Sequence, residues 1–464
     1  MNNDSSVATL ADSLRTELRD LRPGARLPSS RTLVDRYRVS PVTVTRAIGL
    51  LAAEGLVVTR PGAGVYAADR PGPSAGPPDL GWQAVALGDR AVDAGAIGWL
   101  LKAPPDGVVP LSGGYLHADL QPARALAAAM GRAARRPRAW DMPPPSGLAQ
   151  LRAWFARIAG PDVTPGDVTV TAGGQQSLST VLRAVLAPGA PLLVESPTYP
   201  GALAVARMIG LQPVPVPIDG EGLRPGLLAE AFALTGARAV YCQPAFQNPT
   251  GAAMGAERRA RVLDVARAAG AFVIEDDYAR HLAIDAAPPP LVAQDADGRV
   301  VHIASPTKVV APSLRVSAVI ARGPVAERIR AAQLVTDFFP ARPLQETLLD
   351  LVSSPGWARH VGAVRTALRA RRDTLLAALA GELPQLAPSR PDGGVHLWTP
   401  LPGGADDTAA AEAALRAGVL VSAGRPFFPA EPPGPHLRLS YCSAASDGEL
   451  VEGVRRLARV LDEP

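Results

Sequence analysis

From about residue 106 onward, short β-rich runs alternate with helical stretches. The runs are DVTVTA, PLLVES, ARAVYC, AFVIED, RVVHIA and RVSAVIA, with helix-period sequence between several of them. Parallel strands need long crossovers, usually helical, so this alternation predicts an α/β domain with a mostly parallel sheet. Such sheets bind ligands beyond the carboxyl ends of their strands. The residues that follow each run are therefore where chemistry is expected.

After DVTVTA come Gly173-Gly174-Gln175-Gln176 and then a helical stretch. A glycine turn that opens a helix points free N–H groups and the helix dipole at one place, which suits an anion. After PLLVES, Pro197-Thr198-Tyr199 bring a ring that can stack on a planar ligand or simply pack. After ARAVYC, the segment Gln247-Asn248-Pro249-Thr250-Gly251 offers Asn248 as a hydrogen-bonding side chain. AFVI runs into Glu275-Asp276-Asp277-Tyr278. Carboxylates at a strand end are costly to bury without partners, and Asp277 reads as a surface carboxylate beside a functional one. After RVVHIA come Ser305, Thr307 and Lys308, then Arg315. A later β-like run, LRLSYCS, carries Arg438.

Composition singles out one of these residues. Only two lysines, Lys102 and Lys308, occur among 47 Lys+Arg in 464 residues. Lysine is the side chain that forms a Schiff base with an aldehyde, because guanidinium stays protonated and is not nucleophilic. Lys102 sits near a Pro/Gly-rich stretch, with no acid or anion cradle in its motif. Lys308 follows a strand. An anion cradle, a stacking ring, a carboxylate, a lysine and two arginines together suit pyridoxal phosphate.

The first 68 residues follow a different pattern. A helix is expected from about Ser6 to Arg22, with Val7, Leu10, Leu14 and Leu18 at helical spacing. A second helix starts at Ser29 or Ser30 as N-cap and carries Leu33, Val34 and Tyr37. Arg38-Val39-Ser40 turns the chain. Ser40 caps a third helix that opens on Pro41 and runs to Glu54, with Gly55 ending it. LVVTR and GVYAA flank the turn Pro61-Gly62-Ala63-Gly64. Three helices and a hairpin predict a winged helix-turn-helix. Gly62-Ala63-Gly64 also fits a dinucleotide fingerprint. That motif must open a helix within a βαβ unit, and here strand formers follow, so it reads as the wing turn. The segment DRPGPSAGPPD then reads as linker. Of the net charge of +4, residues 1–70 carry ten Arg against seven Asp+Glu, an excess that suits a polyanionic partner.

Several segments carry a family resemblance. AGGQQSL, ESPTYPGA, QNPTG, IEDDYARHL, SPTKVVAPSLR and RLSYCS resemble fold-type I aminotransferases in order and spacing. LPSSRTLVDRYRVSPVTVTRAIGLLAAEGLVVTRPGAGVY resembles a GntR-type winged helix. Joined by a linker, the two resemble the MocR subfamily of GntR regulators. The resemblance implies a winged helix-turn-helix at 1–68, a linker at 69–105 and an aminotransferase-like effector domain at 106–464. It implies pyridoxal 5'-phosphate held by Lys308 as an internal aldimine. Asp276 then pairs with the pyridine nitrogen, Asn248 and Tyr278 with the phenolic oxygen, and Tyr199 stacks on the ring. Gly174, Gln175, Ser305, Thr307 and Arg315 hold the phosphate, and Arg438 receives the carboxylate of an amino-acid ligand. At the other end, Arg31, Ser40, Thr43, Thr45, Arg46, Arg60 and Gly62 are implied to face double-stranded DNA.

This sequence departs from the family pattern at four places. Gly174 stands where relatives often have Ser or Thr, which removes a hydroxyl donor. Trp140-Asp141-Met142-Pro143-Pro144-Pro145 precedes PSGLAQLR without the tyrosine that many relatives use on a neighbouring subunit's phosphate. Pro41 and Val42 replace residues that are usually an arginine and a polar side chain, so the base readout differs. The implied function is a PLP-dependent DNA-binding regulator that senses an amino acid or PLP and acts as a homodimer. The alternative is an aminotransferase with an appended winged-helix module. No run approaches 18 apolar residues, the first twenty lack a secretory signal, and two cysteines make neither a disulfide framework nor a zinc site. A cytoplasmic protein without metal is expected.

Overall fold

A computed structural model describes residues 3–69, 79–88, 94–402 and 404–461. The chain divides into two compact units, Met1–Arg90 and Ala91–Pro464.

In the first unit α1 (Asn3–Asp20), α2 (Ser30–Tyr37) and α3 (Pro41–Ala53) precede a hairpin of β1 (Val57–Arg60) and β2 (Gly64–Ala67). α1 begins and ends slightly earlier than the periodicity predicts. Its buried stripe of Leu10, Leu14 and Leu18 packs with Leu33, Val44, Ile48 and Leu51 into one core. Each such leucine contributes roughly 2 kcal/mol by leaving water. The caps fall at serines. Ser29 Oγ accepts from Thr32 N at 3.2 Å and Ser40 Oγ from Thr43 N at 3.1 Å. Between α2 and α3, Arg38 adopts a left-handed φ of 52°. Arg60 and Gly64 are paired across the hairpin, and Gly62 has φ +74°. The glycine motif is therefore a wing turn, and no helix follows it.

Within the segment expected as linker, residues 70–78 and 89–93 lie outside the described residues. Gly81–Leu87 and Gly95–Leu100 are short helices. The second belongs to the large unit, where Trp99 Nε1 donates to Val421 O at 2.9 Å.

The first strand of the large unit is β3 (Val109–Pro110). The unit's main sheet is built from β4 (Val168–Thr171), β5 (Pro191–Ser196), β6 (Gln212–Asp219), β7 (Gly222–Leu223), β8 (Ala239–Cys242), β9 (Phe272–Asp277), β10 (Val300–Ala304) and β11 (Ser317–Ile320). The sheet order is β4-β11-β10-β9-β8-β5-β6-β7. β5, β6, β8, β9 and β10 pair in parallel, whereas β11 lies antiparallel between β10 and β4. All six predicted runs are strands. β6 was not among them, because Pro213, Pro215 and Pro217 break the usual strand signal. The alternate spacing puts every missing N–H on one side of the strand, near the sheet edge, where the loss is tolerated.

Toward the end, β12 (His396–Pro400), β13 (Val419–Leu420), β14 (Ser422–Ala423) and β15 (His436–Ser440) follow. β12, β15 and β14 form a small antiparallel sheet, and β13 pairs with β3. Arg438 on β15 lies opposite Trp398 and Ser422. Among the described residues no helix is long and apolar enough to cross a membrane.

Candidate functional site

The strand-end residues of the large unit converge. Gly174, Gln175, Tyr199, Asn248, Asp276, Tyr278, Ser305, Thr307, Lys308, Arg315 and Arg438 all line one cavity of about 410 Å³. Gly173 begins the turn with φ +95°, and a Cβ there would collide with the Arg315 guanidinium. Glycine thus serves both the turn and the close approach of an arginine. Arg315 also donates to Ala172 O at 3.2 Å. Below this corner Thr171, Ser177 and Ser317 share buried hydroxyl contacts of 2.6–2.9 Å, which tie β4, β11 and the helix Gly174–Val185 together. Gly174 itself has room for a side chain, since a Cβ would meet only Ser305 at 3.9 Å.

Lys308 is half-buried in the cavity wall. Burial, with Arg438 and Arg315 nearby, pushes its amine down to about 8. An amine so poised is more often neutral, as a nucleophile toward an aldehyde must be. Asp276 Oδ2 accepts from Tyr241 Oη at 2.7 Å and Gln243 Nε2 at 2.9 Å. Burial raises its carboxyl above the usual range, and these two donors oppose that. Gln243 also accepts from Asn248 N at 3.0 Å, so one glutamine positions two site residues. Its own N–H donates at 3.0 Å to Glu195, whose carboxyl burial pushes up to about 8.

Arg438 reaches Asn248 Oδ1 at 3.0 Å, Ser422 Oγ at 3.3 Å, His396 Nε2 at 3.4 Å and Ser112 O. Its Nε is buried without a partner. The guanidinium only donates, so His396 Nε2 accepts and the ring is neutral. Burial and Arg438 hold the imidazole well below its ordinary range. Tyr199 Oη donates to Gln175 Oε1 at 3.2 Å, which fixes the ring at the cavity wall.

Two expectations change here. Tyr278 Oη, expected on a ring oxygen, donates to Phe246 O at 2.7 Å. Asp277 is not at the surface: it is 3% exposed and ion-paired with Arg280, and His302 Nε2 lies 3.8 Å away. A strand-end carboxylate followed three residues later by arginine can be buried because its partner is local.

The structure also adds residues that the strand-end logic missed. Gln243 directly follows ARAVYC and was passed over for the asparagine beyond it. Tyr115 holds its ring centroid 3.7 Å from Lys308 Nζ, yet it follows a loop rather than a strand of the main sheet. His396, Ile97, Leu100 and Leu101 line the cavity from sequence-distant elements. No local signal marked them.

These residues suit a phosphorylated aromatic aldehyde. The glycine corner and Arg315 suit a phosphate, Lys308 an aldehyde, and Asp276 a ring nitrogen. Arg438, with an unpartnered buried Nε, suits a carboxylate.

In the small unit Arg31, Thr45, Arg46 and Arg60 are exposed. Arg60 lies over the Tyr66 ring at 4.8 Å. Val42 is 57% exposed. Thr43 corrects an expectation. It is 3% exposed and its hydroxyl pairs with Ser40 Oγ at 2.9 Å. The helix spacing that faces Val44 and Ala47 to the core also turns Thr43 inward, where its hydroxyl braces the cap. Ser40 is exposed but serves as the cap of α3.

Comparison with known proteins agrees with both halves. Residues 108–457 match the family Aminotransferase class I and II, and residues 7–66 match the bacterial regulatory proteins of the gntR family. The chain is 28% identical to "Uncharacterized HTH-type transcriptional regulator YdfD" of Bacillus subtilis, across 95% of this chain and 92% of the relative. It is 32% identical to the 2-aminoadipate transaminase of Thermus thermophilus, across 82% of this chain and 98% of that protein. The crystal structure of LysN, an α-aminoadipate aminotransferase from Thermus thermophilus complexed with N-(5'-phosphopyridoxyl)-L-leucine, superposes with a TM-score of 0.76 at 31% identity. It covers 82% of this chain and 98% of that one.

Proposed function

Because this chain belongs to the aminotransferase class I and II family and carries a GntR-family head, we propose that it is a transcriptional regulator of the MocR type. In this reading residues 1–68 bind operator DNA, 69–105 connect, and 106–464 bind pyridoxal phosphate and sense an amino acid or the cofactor itself. The protein works in the cytoplasm as a homodimer, so that two heads read paired half-sites.

The observation that carries the reading is one cavity lined by Lys308, Asp276, Arg315 and Arg438 in a chain that also has a complete winged helix. Pyridoxal phosphate, when bound, supplies an aldehyde and an electron-withdrawing ring. The protein supplies the rest. Lys308 offers an amine that burial keeps near neutrality. Tyr241 and Gln243 favour an ionised Asp276 for the ring nitrogen. Asn248 serves the phenolic oxygen and Tyr199 the ring face, while Tyr278 braces the wall through Phe246 O. Gly174, Gln175, Ser305, Thr307 and Arg315 receive the phosphate. Arg438 positions a carboxylate ligand, and Lys308 is the base placed to move protons near it. Differences in contacts between ligand-free and ligand-bound cavities then bias the equilibrium that DNA binding reads.

Selection of DNA by the purified protein, with and without pyridoxal phosphate, tests this. Enrichment of a two-half-site sequence that changes with the cofactor is expected. No enriched sequence in either condition overturns the regulator reading. The complete cavity also favours a second reading, an aminotransferase with an appended module. Fast transamination by a protein that selects no DNA supports that one.

A further inference from the structure

The cavity accounts for its charges. Four charged side chains line it: Asp276, Lys308, Arg315 and Arg438. The proposed function, on which this inference rests, gives each one a counterpart: a ring nitrogen, an aldehyde, a phosphate and an α-carboxylate. His396 adds no charge, because its Nε2 accepts from the Arg438 guanidinium at 3.4 Å. Among the described lining residues nothing ionic is left over for the side chain of an amino-acid ligand.

One side of the cavity is apolar. Ile97, Leu100 and Leu101 close one side of the cavity. They come from the helix Gly95–Leu100 and its C-cap, a segment with no place in the strand-end pattern. The helix is pinned by Trp99, which is packed on the core and donates to Val421 O at 2.9 Å. Val421 directly precedes Ser422, which holds Arg438 at 3.3 Å. The apolar wall and the carboxylate clamp are thus fixed to the same strand region.

We infer that the amino acid sensed or processed here has an uncharged, aliphatic or thioether side chain, which packs on Ile97, Leu100 and Leu101 while Arg438 holds its carboxylate. A second carboxylate against that wall loses water and finds no cation among the described residues that line the cavity. A side-chain ammonium finds no anion.

The full-length protein, loaded with pyridoxal phosphate, is titrated with single amino acids while the visible band of the cofactor is followed. L-Leucine, L-norleucine and L-methionine should half-saturate at concentrations at least about tenfold below L-glutamate, L-2-aminoadipate and L-lysine. Leu100→Arg should reverse the order, gaining L-glutamate and L-2-aminoadipate and losing about tenfold for L-leucine, with its circular dichroism unchanged. Leu101→Arg, at the more exposed mouth of the cavity, serves if Leu100→Arg misfolds. Tighter binding of the acidic amino acids or lysine by the unaltered protein overturns the inference and leaves the regulator reading standing. A folded arginine variant with unchanged preferences overturns the assignment of this wall. No response to any amino acid, in protein that carries cofactor, overturns the inference and the amino-acid-sensing reading together.

Discussion

The two units of this chain invest their polar residues in opposite ways. In the large unit the functional groups lie inside the cavity: Asp276 and Arg438 are buried and Lys308 is half-buried, and each is shifted from its ordinary proton affinity. In the head the candidate contacts Arg31, Thr45, Arg46 and Arg60 lie on the surface. A buried polar group must be paired or aimed at a ligand, so its purpose can be read from its surroundings. An exposed arginine is compatible with many purposes. Buried sites therefore declare their chemistry more sharply than surfaces do.

The largest test of the contrast removes the central group of the cavity. Lys308→Ala should abolish fixation of pyridoxal phosphate by borohydride altogether. Persisting fixation would move the assignment to Lys102, which lies near the Trp99 ring, at 5.0 Å from its centroid. In the head the comparable loss comes from packing, not from a charged residue. Leu33 is 1% exposed, and Leu33→Ala should cost about 2–5 kcal/mol, read as unfolding of the head by denaturant.

The same contrast explains what the sequence made legible. Ten of the eleven expected cavity residues are legible because the strands of the main sheet deliver one set of ends to one place, and short motifs mark each end; the eleventh, Arg438, comes from β15 of the small sheet. Lys308 stood out further because lysine is otherwise so scarce. Ile97 and His396 were illegible: one lies in a short helix after a Pro-rich stretch, the other on a strand of the small sheet, and neither carries a motif. Asp277 was misread because strand-end position alone does not reveal the local Arg280 partner. Thr43 was misread because one helix turn carries both cap-bracing and groove-facing positions, and only packing separates them.

Proton affinity sharpens the buried side of the comparison. The Lys308 amine is lowered from 10.5 to about 8, so its protonated form is the disfavoured one. The rate of cofactor fixation by cofactor-free protein should rise with pH through about 8 and level off above it, as a stopped-time borohydride assay would show. The sign for stability follows. Between about 8 and 10.5 the unfolded chain binds more protons at this lysine, so its contribution to stability grows as pH rises and shrinks as pH falls. A profile still climbing at about pH 10, near the ordinary range of a lysine, would mean that burial does not control this amine.

Smaller effects are expected where a single hydrogen bond or a single exposed charge is changed. Gly174→Ser fills open space beside Ser305 and returns a hydroxyl to the phosphate corner. It should tighten pyridoxal phosphate by roughly tenfold, the worth of about one hydrogen bond, measured by equilibrium dialysis. Arg60→Ala should weaken DNA binding for every sequence alike and lower the slope of log affinity against log salt by about one. An unchanged slope would remove Arg60 from the phosphate-contacting set.

The smallest effect tests the boundary between the two kinds of residue within one helix turn. Thr43 and Thr45 are two positions apart on α3, but Thr43 is buried against Ser40 while Thr45 is exposed and donates to Pro41 O at 3.0 Å. Thr43→Val keeps the shape and removes one hydroxyl that pairs only within the cap. Ser40 Oγ can still accept from the backbone N–H of residue 43. The substitution should cost about 1 kcal/mol of head stability and change the affinity for the selected DNA by less than about twofold. A threonine that touches a base edge would instead lose on the order of 1–3 kcal/mol of discrimination. A tenfold loss of affinity in Thr43→Val, with the head still folded, would return Thr43 to the DNA-facing set and show that burial in the unbound head does not predict which residues the groove meets.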